Sequence, residues 1–186
     1  MKVIVFGGSG FLGSHVADAL SAAGHKVVIF DIEPSPYLGK TQKMVVGDIM
    51  DARAVEETVK GSDAVYNFAG IADIEEASRK PIDSVKYNIL GNAIILEAAR
   101  KSRVKRFVFA SSLYVYSRAG SFYRSAKQAC ELLIENYQEV YGLPYTILRY
   151  GSLYGPRSDE TNFIHAIIKQ ALTRLSLLTG SWAWLQ

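Results

Sequence analysis

Ser112, Tyr123 and Lys127 are the residues of this chain whose types and spacing could do chemistry. Tyr123 and Lys127 are four residues apart, so on a helix they lie on one face, about one turn from each other. The ordinary pKa of tyrosine is about 10, but a nearby ammonium and the positive ring of an oxidised nicotinamide would stabilise the phenolate. A pKa lowered by roughly 3 requires about 4 kcal/mol. Such a phenol can take a hydroxyl proton while hydride leaves the same carbon, and the Ser112 hydroxyl would hold the oxygen.

A glycine-rich turn upstream of these residues is suited to holding a dinucleotide. Gly7, Gly10 and Gly13 follow the first strand-like segment in the pattern G-x-x-G-x-x-G. Glycine permits a tight turn and lets backbone N–H groups approach a phosphate closely. The helix predicted from Phe11 onward would point its positive end at the pyrophosphate. Together with the downstream residues, the turn predicts an enzyme that moves hydride to or from a nicotinamide.

Two acidic residues follow the next strand-like segments. Asp31 lies 18 residues after Gly13 and ends the second segment. An acid at that place can accept hydrogen bonds from a ribose diol and repels the extra phosphate of NADP, which favours NAD. Asp48 ends the third segment and would reach the adenine amino group. For both residues the alternative is an ordinary polar turn residue.

The elements that must position these residues alternate between strand and helix. The predicted strands cover residues 3–6, 26–30, 44–46, 63–67, 106–110 and 144–149. The predicted helices cover residues 11–23, 51–60, 81–100, 121–141 and 161–172. Most of the strands are continuous apolar runs, which is typical of strands buried on both faces. We therefore predict an α/β fold, a Rossmann-type doubly wound parallel sheet with helices on both faces and ligands at its carboxyl edge.

Composition narrows the class of protein. The 186 residues are 49% apolar and 21% charged, which is typical of a globular domain. A net charge of +3 is too small to predict a nucleic-acid partner, and no stretch reaches the length of a membrane span. The single cysteine, Cys130, favours a reducing compartment, so we predict a cytoplasmic protein. His15, His25 and His165 show no metal-ligand spacing, and we predict no metal.

The chain resembles the extended short-chain dehydrogenase/reductase family, in particular the NAD-dependent epimerase/dehydratase group that acts on nucleotide sugars. The matching segments are residues 7–13, 47–49, 67–70, 88–92, 111–112, 123–127, 148–150 and 154–156. The resemblance implies NAD as cofactor, a nucleotide sugar as substrate, and Ser112, Tyr123 and Lys127 as catalytic residues. It also implies a homodimer formed through the helices 81–100 and 121–141.

The same resemblance implies which residues contact the cofactor. Phe11 and Leu12 would give backbone contacts to the pyrophosphate, and Asn88 would support the loop above the ribose. Lys127 would hold the nicotinamide ribose. The full implied set is Gly7, Gly10, Phe11, Leu12, Gly13, Asp31, Ile32, Asp48, Ile49, Phe68, Ala69, Gly70, Asn88, Ala110, Tyr123, Lys127 and Tyr150.

Three departures from the family pattern bear on the reaction. Leu113 and Tyr114 stand where the 4,6-dehydratases have an Asp-Glu pair, and the glutamate of the sugar-nucleotide decarboxylases is also absent. This leaves an epimerase or a simple dehydrogenase/reductase. Ser112 and Tyr123 are only 11 residues apart, which predicts a shorter loop than is usual. Ser152 stands where the family often has an asparagine that contacts the substrate.

The organisation of the chain leaves two functions open. We expect residues 1–157 to form the NAD-binding domain. We expect residues 158–186 to be a helix and an apolar tail, either a remnant of the substrate domain or a chain cut before it. The first function is an NAD-dependent enzyme acting on a sugar hydroxyl or ketone, most simply an epimerase. The alternative is a non-catalytic or truncated NAD-binding module that acts as a sensor or remnant.

Overall fold

A wholly parallel sheet of six strands forms the centre of the computed structural model, which describes residues 1–160 and 162–173. The strands are β1 (Lys2–Phe6), β2 (Lys26–Asp31), β3 (Lys43–Val46), β4 (Ala64–Asn67), β5 (Arg106–Ser112) and β6 (Tyr145–Tyr150). Their order across the sheet is β3-β2-β1-β4-β5-β6. From β1 the chain first adds β2 and β3 on one side, and then returns to add β4, β5 and β6 on the other side. Parallel sheets of this kind bind ligands at this switch point, between β1 and β4.

Seven α-helices are described in the chain. They are α1 (Phe11–Ala22), α2 (Ala52–Val59), α3 (Ile74–Arg79), α4 (Pro81–Asp83), α5 (Gly91–Lys101), α6 (Ser121–Tyr141) and α7 (Phe163–Thr173). The side chain of Asp51 caps α2 by accepting hydrogen bonds from two backbone N–H groups. The predicted α/β fold, with a parallel sheet and helices on both of its faces, is confirmed.

Alternate residues of the inner strands supply two apolar layers. Val3 and Val5 of β1 pack with Ala17 of α1 on one face of the sheet. Ile4 and Phe6, between them in sequence, belong to the larger cluster on the other face. Successive side chains of a strand point to opposite faces, so a continuous apolar strand is what a sheet covered on both sides requires.

The predicted helix over 81–100 is interrupted, and this part of the prediction is wrong in detail. A π-helical segment, Ser84–Leu90, lies between α4 and α5. Within it Asn88 is buried and hydrogen-bonded through its side chain to the backbone of Ile71. π-Helical segments frequently occur at functional sites. Helix α3 and a 3₁₀ turn at Leu113–Tyr116 were not predicted either.

The chain divides into two compact units, Met1–Tyr150 and Gly151–Gln186. In the second unit the amide of Asn162 donates to the carbonyl of Leu153 over 2.7 Å, near the start of α7. The predicted apolar tail, from residue 174 onward, lies outside the described residues. Within residues 1–160 and 162–173, no helix is long and apolar enough to cross a membrane.

Candidate active site

The carboxyl ends of the parallel strands bring the predicted site residues to one edge. Phe6 pairs in register with Phe30 and Asn67, and Ser112 pairs with Tyr150. The glycine turn, the segments after β2, β3 and β4, and the end of β5 therefore follow one another along this edge. The shared edge that the strand pattern predicted is present.

Two glycines of the turn are required by the packing of the chain itself. Gly7 has φ +73°, and a Cβ there would lie 2.6 Å from the backbone nitrogen of Ala69. A Cβ on Gly13 would lie 2.1 Å from the carbonyl oxygen of Gly7. Backbone atoms cannot make room for contacts this short. The turn can therefore pack against the segment after β4, and against α1, only because Gly7 and Gly13 have no side chain.

The third glycine faces open space. A Cβ on Gly10 would meet only the carbonyl oxygen of Gly7, at 3.5 Å. Gly10 precedes α1, and no side chain caps that helix start. The first N–H groups of a helix have no partner within it and attract anions. An uncapped helix start with room above Gly10 fits a pyrophosphate, with Phe11, Leu12 and Gly13 in the first turn.

Asp31 connects the second strand to the glycine turn. Its Oδ2 accepts from the Ser9 N–H over 2.9 Å, and its Oδ1 accepts from the Ile32 N–H over 2.8 Å. Each carboxylate oxygen has a further lone pair, so acceptor capacity for a ribose diol remains. Asp48 is exposed and accepts from the Met50 N–H over 2.9 Å, a turn contact with the same spare capacity.

The two isoleucines of the implied cofactor set lie in different environments. Ile32 is 65% exposed beside Asp31, where a ligand can reach it. Ile49 is buried in the larger apolar cluster and packs against Gly91 of α5. The side chain of Ile49 is therefore mainly a part of the core.

The segment after β4 is held by two asparagines. The side chain of Asn67 accepts from the Ala69 N–H over 3.0 Å. Asn88 accepts from the Ile71 N–H over 2.7 Å and donates to its carbonyl over 3.1 Å. Gly70 has φ +135°, and a Cβ there would lie 2.3 Å from the Asn88 amide oxygen. The loop of Phe68, Ala69 and Gly70 thus rests on Asn88.

Ser112, Tyr123 and Lys127 lie together, as their spacing predicted. Ser112 is buried at the end of β5, and its hydroxyl is near enough to the phenol of Tyr123, in the first turn of α6, to lower the pKa of that phenol. Lys127 lies one turn further along α6 and donates to the carbonyl of Ala110 over 2.7 Å. Its Nζ lies 5.5 Å from the centre of the Tyr123 ring.

Burial dominates the electrostatics of these residues. It raises the pKa of Tyr123, and the nearby Ser112 hydroxyl offsets only part of this. Burial also lowers the pKa of Lys127 to about 8. Desolvation thus opposes both charged forms, and the acidic phenol stays a prediction for Tyr123 beside a positive nicotinamide ring.

The short segment between Ser112 and Tyr123 is tied to α6. The Ser112 hydroxyl accepts from the Tyr114 N–H over 3.2 Å, and the Tyr114 ring packs edge-on against the Tyr123 ring. Further along, Gln128 donates to the carbonyl of Val115 over 2.8 Å. The segment therefore begins with a 3₁₀ turn, Leu113–Tyr116, which is held by Ser112 and by α6.

Sequence reasoning missed a buried carboxylate beside these residues. Glu131 of α6 is 7% exposed, and its Oε1 accepts from the Ser111 hydroxyl over 2.5 Å. Arg149 of β6 donates from Nε to Oε1 over 3.0 Å and from Nη2 to Oε2 over 2.8 Å. Nη1 of Arg149 contacts the Tyr116 hydroxyl at 2.5 Å. Burial alone would raise the pKa of Glu131, but the bonds from Arg149 and Ser111 outweigh it and lower the pKa.

A signal for Glu131 was present in the sequence. Lys127, Cys130, Glu131 and Ile134 have the i, i+3, i+4, i+7 spacing of a buried helix face. A carboxylate on such a face requires a cation. Arg149, at the end of a predicted strand, was the available partner.

The order of the parallel strands, the glycine turn after β1 and the joined Ser112, Tyr123 and Lys127 define a dinucleotide-binding fold of the short-chain dehydrogenase type. Residues 3–181 match the model of the NAD dependent epimerase/dehydratase family. The chain belongs to that family.

The relatives of this chain are named for different reactions. The chain is 31% identical to the UDP-N-acetyl-alpha-D-glucosaminuronate decarboxylase of Bacillus cytotoxicus, over 86% of this chain and 56% of the relative. The solved UDP-glucose 4-epimerase of Thermotoga maritima with UDP-glucose matches with a TM-score of 0.85 and 30% identity, over 91% of this chain and 62% of the other.

A third match carries the cofactor. The Thermus thermophilus UDP-glucose 4-epimerase in complex with NAD has a TM-score of 0.84 and 29% identity, over 93% of this chain and 63% of the other. The chain therefore spans less than two thirds of the length of these three relatives. Their reactions include epimerisation and decarboxylation, so similarity at this level does not select one.

Proposed function

We propose that this protein is an NAD-dependent epimerase that oxidises and re-reduces a hydroxyl-bearing carbon of a nucleotide sugar. The observation that carries the proposal is the arrangement at the carboxyl edge of the sheet, where Ser112 ends β5 and Lys127, one turn after Tyr123 on α6, donates to the carbonyl of Ala110 and lies 5.5 Å from the centre of the Tyr123 ring. The NAD-bound, UDP-sugar-bound epimerases that the chain resembles support the choice of substrate class.

Each of the three residues has one task in the reaction. Ser112 donates a hydrogen bond to the sugar oxygen and orients it toward the phenol. Tyr123 removes the hydroxyl proton as the C–H electron pair leaves as hydride, so that the carbon becomes a ketone. Tyr123 returns the proton when hydride is delivered to the other face of that ketone. Bound NAD⁺ supplies the hydride acceptor and a positive charge.

The burial of Tyr123 supports a part for that positive charge in the proposed reaction. Burial raises the pKa of the phenol, so the protein alone keeps it protonated at neutral pH. Lys127, with a pKa of about 8, is mostly charged at neutral pH and lies 5.5 Å from the ring centre. One ammonium at that distance does not overcome the desolvation, and a second cation favours the phenolate further.

The cofactor contacts follow from the described geometry. The N–H groups of Phe11 and Leu12 would bind the pyrophosphate, and the spare lone pairs of Asp31 would accept from the adenosine ribose. The loop on Asn88 would line the ribose side. Lys127 would bind the nicotinamide ribose from its position beside Ala110. Tyr150, at the end of β6 and paired with Ser112, would lie near the nicotinamide.

The side chains next to Ser112 favour epimerisation over elimination or decarboxylation. Leu113 and Tyr114 follow it directly and are 53% and 39% exposed. Elimination of water needs an acid and a base beside the sugar, and neither residue is a carboxylic acid. A reaction that needs only one proton-transfer group and a returning hydride is compatible with this site.

The proposal also covers the domain organisation and the assembly of the protein. We assign residues 1–157 to the cofactor domain. We further propose a homodimer through the helices of 81–100 and 121–141. Apolar side chains left exposed on these helices support it: Ile82, Val85, Leu90, Phe122, Leu132 and Val140. Sedimentation of the purified protein, with Leu132→Glu as the variant expected to be monomeric, tests this assembly.

The test of the function is product configuration. The protein is incubated with NAD⁺ and UDP-glucose, and the sugar is analysed by proton NMR while the absorbance of NADH is followed. An epimerase yields the C4 epimer with no net NADH. Steady accumulation of NADH with a ketone would indicate a dehydrogenase instead. Binding of NAD⁺ with neither product, on a panel of nucleotide sugars, would overturn the proposal.

A further inference from the structure

Glu131 contacts the neighbours of the catalytic residues and no step of the proposed reaction uses it. Its carboxylate joins three elements: Ser111 of β5, Arg149 of β6, and its own helix α6. Ser111 is bonded in sequence to Ser112, and Lys127 lies one turn before Glu131 on α6. A displacement of the carboxylate would therefore move β5 relative to α6 at the point where Ser112 meets Tyr123.

The geometry makes this junction stiff. Arg149 binds the carboxylate through two nitrogens, and a fork of this kind fixes direction as well as distance. The third contact comes from the Ser111 hydroxyl on the same Oε1 that accepts from Arg149 Nε. A buried carboxylate with these partners cannot rotate without leaving one of them unsatisfied.

Glu131 also acts on Lys127 through its charge. Burial lowers the pKa of Lys127, while the charges of Cys130 and Glu131 oppose that lowering. The titratable and charged groups that face Lys127 are Tyr123, Cys130 and Glu131 on α6 and, through Glu131, Arg149 on β6. β5 presents only uncharged groups to it, the Phe109 ring and the Ala110 carbonyl. Burial raises the pKa of Cys130 to about 12, so Glu131 is the carboxylate that keeps the ammonium charged.

We propose that Glu131 is a positioning residue for the reaction: it sets the register of Ser112 against Tyr123 and maintains the charge of Lys127. The inference rests on the proposed function. It does not make Glu131 a catalytic residue, because its contacts are with Ser111 and Arg149 and not with the reacting atoms.

A second Glu–Arg pair, with a tyrosine beside it, serves as the control. Glu97 accepts from Arg100 through two nitrogens, over 2.8 and 2.6 Å, and from the Tyr137 hydroxyl over 3.3 Å. It lies on α5, is more exposed than Glu131, and has no serine partner among its described contacts. Its described contacts are to Arg100 and Tyr137 and include none of the catalytic residues. Comparing variants of Glu97 and Glu131 therefore separates the general effect of losing a paired carboxylate from the specific effect of losing Glu131.

The experiment compares Glu131→Gln with Glu97→Gln in the protein with NAD⁺ and the nucleotide sugar. We expect Glu131→Gln to lower kcat about tenfold or more, because a small misplacement of reacting groups is costly. KM and the Kd of NAD⁺ should change less than about twofold, because neither ligand contacts Glu131. Glu97→Gln should leave kcat unchanged. Equal kcat for the two variants would overturn the inference.

A second measurement does not depend on turnover. The carbon NMR signal of the Lys127 ε-methylene is assigned with Lys127→Met and titrated. In Glu131→Gln the midpoint should fall below that of the unaltered protein, and in Glu97→Gln it should not move. Glu131→Asp keeps the charge and should restore most of the midpoint, while kcat stays low because the shorter side chain reaches Ser111 less well.

These readouts separate the two proposals. If the unaltered protein converts no nucleotide sugar, the proposed function fails, and the Lys127 titration alone then decides the role of Glu131. A midpoint that is the same in Glu131→Gln and Glu97→Gln would overturn that role. Should turnover be normal in Glu131→Gln while the unaltered protein is active, the proposed function stands and the inference falls.

Discussion

The two ends of the carboxyl edge are built by different means. At β1 and β2 lies the part proposed to bind the dinucleotide, called here the dinucleotide end. It depends on backbone atoms and on the absence of side chains, since a Cβ on Gly7 or Gly13 would overlap with backbone. At β5 and β6 lies the part proposed to carry the reaction, called here the catalytic end, which depends on buried charged side chains such as Lys127 and Glu131. The first end is rigid because it is close-packed. The second is held by electrostatic contacts, so it should respond to pH and to single charges.

The largest effect should come from the catalytic end, on turnover alone. Tyr123→Phe removes the proton-transfer group and should lower kcat by about 10²–10⁴-fold, the usual contribution of such a group. The Kd of NAD⁺ should stay within about twofold, since the helix start at Gly10 is unaffected. Steady-state kinetics and calorimetric titration with NAD⁺ measure the two quantities.

The control for this prediction is a second tyrosine of the same helix. Tyr141→Phe, at the end of α6, alters a phenol that packs against Tyr137 and Arg100. It should leave kcat unchanged. If Tyr123→Phe and Tyr141→Phe turned over substrate equally well, the catalytic end would have been placed wrongly.

The next effect should come from the dinucleotide end, on stability and binding together. Gly13→Ala places a Cβ 2.1 Å from the Gly7 carbonyl oxygen. Overpacking of this kind should cost about 1–3 kcal/mol of unfolding free energy and weaken NAD⁺ binding more than about tenfold. Chemical denaturation and calorimetric titration are the measurements.

Gly10→Ala is the matched control for that variant. Its Cβ meets only one atom, at 3.5 Å, so the unfolding free energy should change by less than about 0.5 kcal/mol. The new methyl group would still occupy the space proposed for the pyrophosphate, so NAD⁺ binding should weaken. Unchanged binding in Gly10→Ala would show that the phosphates lie elsewhere.

The dinucleotide end could be predicted from sequence because its causes are local. Gly7, Gly10 and Gly13 lie within seven residues, directly after a continuous apolar strand. Strand, turn and helix then follow from short-range rules of backbone geometry. Tyr123 and Lys127 were found for the same reason, since four residues on a helix make one turn.

The rest depended on contacts between distant parts of the chain. Glu131 and Arg149 are 18 residues apart and meet only because α6 packs beside β6. The π-helical segment around Asn88 has no signature in the apolar pattern, and within it the Asn88 side chain bonds the backbone of Ile71, 17 residues away. Spacing along the sequence also does not show the burial that raises the pKa of Tyr123.

The last prediction concerns how the stability of the catalytic end depends on pH. Burial lowers the pKa of Lys127 from 10.5 to about 8, which corresponds to at most about 3 kcal/mol. Below pH 8 the lysine is charged in both the folded and unfolded protein, and the folded state bears the full cost of desolvation. Between about pH 8 and 10.5 the unfolded chain binds the extra proton, so the free energy of unfolding should rise with pH.

Lys127→Met removes this dependence, since methionine carries no proton to lose. We expect the variant to be inactive yet more stable than the unaltered protein at pH 7, with the difference in unfolding free energy shrinking as the pH approaches 10. Urea denaturation of both proteins across this range measures it. Lys101→Met, at an exposed surface pair with Glu56, controls for loss of a lysine in general. If the difference in unfolding free energy between Lys127→Met and the unaltered protein did not vary with pH, the Lys127 ammonium would have to be solvated. The stability of the catalytic end would then be as insensitive to charge as that of the glycine turn.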